Sequence, residues 1–244
     1  MKQTVLDILA LSHTKEMTPQ PSSTTRPPLF TPMEGTKLPL PKPQQLTPPS
    51  MALHEAITQR RSHRKFSQEP LSLEALSYAL WMTQGVKKVV DDRATFRMVP
   101  SAGARHAFET YLLINQVDTL SPGLYVYDAQ THALVLLEEG KAKAHSLMMA
   151  CHQQRMVTDA AVCFFWVAQV ERMSARYAQR SARYLLLDAG HIAQNLYLVA
   201  TAQDLGTCAI GAFEDVELNE ALGLNLSEQT VLYAAPYGPL ERTE

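Results

Sequence analysis

Arg183-Tyr-Leu-Leu-Leu-Asp-Ala-Gly-His-Ile-Ala-Gln-Asn-Leu-Tyr-Leu-Val-Ala-Thr-Ala-Gln-Asp204, continued by Leu205-Gly-Thr-Cys-Ala-Ile-Gly-Ala-Phe213, is the stretch on which the reading of this chain turns. Its first part predicts a long helix with apolar residues on nearly every face: Tyr184, Leu185, Leu187, Ile192, Leu196, Val199 and Ala200. A helix apolar all round belongs in a core. The polar residues Asp188, His191 and Asn195 stand at i, i+3 and i+7 and therefore share one face. Gly206 and Gly211 then bracket residues 207–210, which read as a short strand closed by a turn that exposes main chain. The pattern is a central helix with a polar seam, followed by a loop that brings backbone close to something.

The rest of the composition narrows the classes. At 244 residues with 46 % hydrophobic content, the chain is long enough for a sizeable core. A net charge of −2 and the lack of a basic stripe with aromatics exclude a nucleic-acid partner. Three well-separated cysteines, Cys151, Cys163 and Cys208, contain no Cys-x-x-Cys and suit a reducing cytoplasm. No ligand spacing among the eight histidines points to a metal. The longest apolar run, 160–168, is too short to span a bilayer and fits a buried strand. Residues 1–11 lack a cleavage site, so neither a signal peptide nor a membrane anchor is expected.

Outward from the helix, segments 1–50 and 51–244 differ in kind. Ten of the fifteen prolines fall in the first, with one glycine, which predicts an extended arm that forms no regular ladder. A short helix at 2–12 opens it. Residues 52–59 predict an amphipathic helix with Leu53, Ala56 and Ile57 inward. Ser72 caps a second helix carrying Leu76, Leu80 and Trp81. A loop holding Arg93 and Arg97 leads to strands at 108–115, 123–128 and 133–137, the last two a hairpin. Helix at 141–153, buried strand at 160–169, charged helix at 171–183, helix at 216–222 and strand at 230–235 complete the order. Without a βαβ rhythm this is α+β, a central antiparallel or mixed sheet flanked by helices.

Three places could carry chemistry. Arg60, Arg61, Ser62 and Arg64 cluster at a helix end, where guanidinium forks and a hydroxyl match a phosphate; a solvated basic patch is the plainer alternative. Pro100, Ser101, Ala102 and Gly103 are small residues whose amides could approach a planar ligand, or an ordinary turn before a strand. Asp188, His191, Gln194 and Asn195 could serve acid–base work or tie helices together. Arg176 and Tyr177, on the preceding helix, are polar donors that could border a site or an exposed face. No Walker loop and no Gly-x-Gly-x-x-Gly is present.

Taken in order, Arg-Arg-Ser-x-Arg-x-Phe, Arg-x-x-Pro-Ser-Ala-Gly-Ala-Arg, Gly-Leu-Tyr-x-Tyr-Asp, Ala-Gly-His-Ile-Ala-Gln-Asn and Ile-Gly-Ala-Phe-x-Asp resemble the SagB/ThcOx-type branch of the nitroreductase family, from about Leu53 to the C-terminus. The resemblance implies an intertwined homodimer with FMN at the subunit interface and ping-pong redox chemistry. It implies that Arg60, Arg61 and Ser62 hold the FMN phosphate and that Arg64 lies nearer the pyrimidine edge. Pro100, Ser101, Ala102 and Gly103 would line the isoalloxazine, and Ile210 and Gly211 would present backbone near its N5 edge. Azoline oxidases of this branch carry Lys-Tyr where this chain has Arg176-Tyr177. Arginine stays protonated and does not act as the base that removes a substrate proton; this departure bears on azoline oxidation, not on FMN binding. The implied activities are dehydrogenation of a small molecule or peptide azoline, NAD(P)H-dependent reduction of nitro compounds or quinones, or a non-catalytic role in a modification complex.

Overall fold

The computed structural model describes residues 5, 7, 10, 12, 26–91 and 93–241. Val5, Asp7 and Ala10 are helical, and the rest of the helix expected at 2–12 lies outside the described residues. Strand β7 (Val162–Gln169) fixes the architecture. Its sequence, Val-Cys-Phe-Phe-Trp-Val-Ala-Gln, is apolar at both parities, so both faces of the sheet must be covered. They are. Phe164, Trp166 and Ala168 face one core with helices α2 (Leu73–Gln84) and α6 (Ser181–Ala202). Cys163, Phe165 and Val167 face a second core with α3 (Ala142–Ala150), α4 (Met156–Asp159) and α7 (Asp215–Ala221).

The sheet has seven strands in the order β1-β6-β5-β4-β7-β9-β8. The strands are β1 (Lys37–Pro39), β4 (Phe108–Ile114), β5 (Gly123–Asp128), β6 (Ala133–Glu139), β8 (Leu205–Thr207) and β9 (Gln229–Pro239), with β7 between β4 and β9. Every pairing in it is antiparallel. All three cysteines are buried thiols, as a chain without a disulfide framework requires.

Four expectations are corrected. In α1 (Leu53–Gln59) only Ala56 is buried; Leu53 and Ile57 stand 69 % and 54 % exposed on the single chain. Likewise α6 is not covered all round: Leu186 is 62 % and Leu187 54 % exposed. The loop expected around Arg93 and Arg97 is a hairpin, β2 (Val86–Val90) and β3 (Ala94–Arg97), forming a separate two-stranded sheet. The charged helix stops at α5 (Val170–Tyr177), since Ala178 turns the chain with φ 45° and ψ −131°, a costly backbone for an alanine.

Residues 26–50 of the proline-rich segment contain no α-helix, yet they do make a ladder. Residues 37–39 pair with β6 at the sheet edge, the one place where Pro39 leaves no ladder donor missing. Upstream, Thr31 donates its hydroxyl to Glu109 Oε1 (2.9 Å), and Arg172 donates from Nε to the Pro28 carbonyl (2.9 Å). Arg172 and Glu109 form a buried ion pair at 2.7 Å. The arm thus completes the hydrogen bonding of charges that would otherwise be buried short of partners.

Candidate functional site

Residues 60–64 leave the end of α1 and run beside the end of α6. His63 N–H donates to the Thr207 carbonyl (2.9 Å), which stitches the segment to β8. Gly206 permits this approach: a Cβ there would lie 3.0 Å from His63 Cβ and 2.3 Å from Leu240. Tyr197 of α6 organises the cluster. The Arg60 guanidinium sits over its ring at 5.1 Å, and its hydroxyl lies 2.9 Å from Ser62 Oγ. Ala209 N–H donates to the same phenol oxygen (2.8 Å). With that acceptor site used, Tyr197 can donate to Ser62 and leave the serine proton for a ligand oxygen. Among the described residues Arg60, Arg61 and Arg64 form no ion pair. Three guanidiniums without an ion-pair partner among the described residues, with a hydroxyl, are the donor types that a phosphate monoester needs.

Ile210 and Gly211 follow at once. Ile210 is buried, and both its backbone groups are taken up by Ala234 (N–H to O 2.7 Å; O from N–H 3.0 Å). It therefore anchors the loop and offers no main-chain donor. Gly211 is exposed, and its amide makes no hydrogen bond among the described residues, so it could meet a ligand.

A second cluster surrounds Pro100, Ser101, Ala102 and Gly103. The loop is backbone-strained: Gly103, Ala104 and His106 all have positive φ (57°, 52° and 43°). Asp188 of α6 holds it by accepting the Ala102 N–H (3.2 Å), and Ser101 Oγ accepts the His106 N–H (2.9 Å). Burial raises the Asp188 carboxyl above the usual carboxylate range, against the Ser101 hydroxyl and the Ala102 amide, which pull it down. Tyr177 and Arg176 close the loop from the other side. A Cβ on Gly103 would stand 2.4 Å from the Tyr177 hydroxyl and 3.2 Å from Arg176 Nε. Tyr177 is itself fixed by an edge-on contact with Tyr184, ring centroids 4.6 Å apart. Burial, and then repulsion from Arg176 and Arg26, lowers the neighbouring Arg105.

The polar seam of α6 divides between two tasks. Asp188 ties the helix to the 100–103 loop, and Asn195 Nδ2 donates to the Met82 carbonyl of α2 (2.8 Å). His191 and Gln194 face outward. Sequence reading did not pick out Tyr197, whose signal is a phenol on an otherwise apolar helix two residues beyond the seam, nor Arg105, the last residue of the Pro-Ser-Ala-Gly-Ala-Arg motif.

The two clusters do not meet within one chain. Asp188 and Tyr197 are nine residues apart, two and a half helical turns, so they lie about 14 Å apart on opposite sides of α6. Between them runs an exposed stripe of Leu186, Leu187, Gly190, His191 and Gln194. A 750 Å³ concavity lies elsewhere, between the arm and the C-terminal end of α6, and includes no residue of either cluster.

The model of the nitroreductase family matches residues 57–238. A Methanocaldococcus jannaschii protein named as a nitroreductase is 36 % identical over 170 residues, 70 % of this chain and 83 % of that one. Among solved structures, one from Ralstonia eutropha, also named as a nitroreductase, superposes with a TM-score of 0.69 at 22 % identity, covering 93 % of this chain and 100 % of its own. Another from Desulfovibrio desulfuricans, a complex with FMN, has a TM-score of 0.57 at 19 % identity, covering 79 % and 88 %.

Proposed function

The chain belongs to the nitroreductase family, and from that premise we propose that it is an FMN-dependent oxidoreductase of the SagB type. The observation that carries this reading is the 60–64 segment: Arg60 sits over the Tyr197 ring, Ser62 meets the Tyr197 hydroxyl, and Arg60, Arg61 and Arg64 form no ion pair among the described residues. Arg60, Arg61 and Ser62 would hold the phosphate, with Arg64 towards the ring. The FMN complex formed by the similarly folded Desulfovibrio desulfuricans protein is in keeping with this. Pro100, Ser101, Ala102 and Gly103 would line the ring, and the Gly211 amide would meet its edge. Bound FMN supplies reversible two-electron chemistry; the protein supplies orientation, charge and restricted access. Tyr177, fixed with its hydroxyl against Gly103, is placed to donate or relay a proton to a substrate lying on that loop.

The active unit is a homodimer. A ligand on the 60–64 side of α6 cannot touch the 100–103 loop on the opposite side of the same helix, but a second copy can present that loop. The exposed Leu53, Ile57, Leu186 and Leu187 form the apolar surface such a copy would cover.

Two substrates classes fit. Oxidation of a peptide azoline or another small molecule needs a base, and Arg176 stays protonated. Reduction of a nitro compound or quinone by NAD(P)H needs none, which favours the second version, and the nitroreductase name of the Methanocaldococcus jannaschii relative agrees. Stopped-flow mixing of FMN-loaded protein with NADPH, and separately NADH, distinguishes them. Bleaching of the flavin within the turnover time is expected. Failure to bleach with either nicotinamide would rule out the reductase version.

A further inference from the structure

The hairpin β2–β3 stands apart from the main sheet, and among the described residues β2 pairs only with β3. Its outer edge, Val86-Lys-Lys-Val-Val90, therefore carries backbone donors and acceptors with no strand beside them. Lysine on an edge strand is by itself a common guard against unwanted pairing. Here the edge also borders a groove of 450 Å³ whose lining includes Lys42, Trp81, Lys87, Lys88, Val89 and His132. Lys42 comes from the arm and the other two lysines from the hairpin, so the charges converge from separate segments. No carboxylate lines the groove, and none of the three lysines forms an ion pair among the described residues. This gathers positive charge on a chain of net charge −2.

The floor is rigid. His132 uses both ring nitrogens, with the Tyr127 hydroxyl at 2.7 Å on one and the Ser77 hydroxyl at 2.9 Å and Pro41 carbonyl at 3.1 Å on the other. The Trp81 ring meets it edge-on at 5.3 Å. A pre-set aromatic surface, an open strand edge and a cationic rim are the parts that strand addition combines: main-chain hydrogen bonds for affinity, flanking side chains for selection.

We propose that this groove binds an extended acidic peptide segment, which adds as a strand to β2 with its carboxylates toward Lys42, Lys87 and Lys88 and an apolar side chain on Trp81. The site is independent of the flavin reading.

The test uses the full chain and a fluorescein-labelled peptide of alternating glutamate and valine, followed by anisotropy. Binding is expected to weaken at least tenfold in K87E/K88E, and also in K42E, whose substitution lies on the arm outside the hairpin. Methylating alternate peptide amides should weaken it as much, because the charge is kept and the ladder lost. The lysine–valine peptide should not bind. Equal affinity of the charge-reversed variants and the unsubstituted protein would overturn the proposal. So would full affinity of the methylated peptide, which would mean that a polyanion is held and not a strand. Flavin content measured on the same samples keeps this result separate from any failure of the cofactor reading.

Discussion

At the scale of single residues, charge and contact assign different work to neighbouring side chains. Arg60 sits over the Tyr197 ring and forms no ion pair among the described residues, so its fork is available to an anion. Arg60→Ala should remove a charged hydrogen bond worth about 1.5–3 kcal/mol, a roughly ten- to hundredfold loss of FMN affinity. Fluorescence titration measures it, and full flavin occupancy of the variant would show that the phosphate lies elsewhere. Tyr177→Phe should leave flavin content alone and slow turnover, because the ring still packs on Tyr184 while the hydroxyl over Gly103 is gone. Unchanged steady-state rates would make Tyr177 a packing residue only. His106 lies behind the same loop, where burial and then the charge of Arg97 depress it to about 3. The unfolded chain takes up that proton near pH 6.5 and the folded one does not. Stability from this group is therefore complete above pH 6.5 and falls by about 1.4 kcal/mol per unit as pH drops toward 3. His106→Gln should flatten that slope in urea denaturation between pH 6.5 and 5; an unaltered slope would mean that the residue is protonated in the fold.

At the scale of elements, what is legible in the sequence depends on whether the burying partner is also in the chain. β7 is readable because apolar residues at both parities leave no solvent face, and the polar seam of α6 is readable because Asp188 and Asn195 repeat at helical spacing. Neither pattern says which partner each residue meets. Leu53, Ile57 and Leu187 look like core residues from composition and spacing, yet they are exposed on the single chain. Sequence records that a surface is apolar, not whether the same molecule covers it. The hairpin 86–97 is obscured for a different reason: two lysines, two aspartates and two arginines mask its β-branched residues, and among the described residues its strands pair only with each other. The end of α5 has no glycine or proline to announce it, and Ala178 carries the turn against its own backbone preference. If the stripe on α6 is an interface, Leu187→Glu should convert a dimer to a monomer in sedimentation or light scattering and lower flavin retention with it. A variant that keeps the dimer and its flavin would place the contact on another face.

At the scale of the whole molecule, the arm, the sheet and the two clusters form one dependency. The arm supplies Thr31 and the Pro28 carbonyl to the Glu109–Arg172 pair, and Phe30 lies under the Arg97 guanidinium at 5.7 Å. Burial lowers Arg97 to about 10, against the pull of Glu109, and two of its buried nitrogens have no hydrogen-bond partner among the described residues. Composition does not foretell that residues 28–31 seal these charges, because proline content constrains backbone shape and says nothing about the surface it follows. Helix α6 joins the rest: Asp188 grips one candidate ligand surface and Tyr197 orders the other, on opposite sides of the helix, so under the proposed function a second copy would bring the two together. Everything functional rests on the assignment of an FMN seat to these surfaces. The most direct test is the visible spectrum of the purified chain after incubation with FMN and desalting. The expected result is a yellow protein that retains close to one FMN per subunit, with Arg60→Ala retaining far less under the same treatment. A colourless protein that neither carries flavin nor takes it up would contradict the assignment.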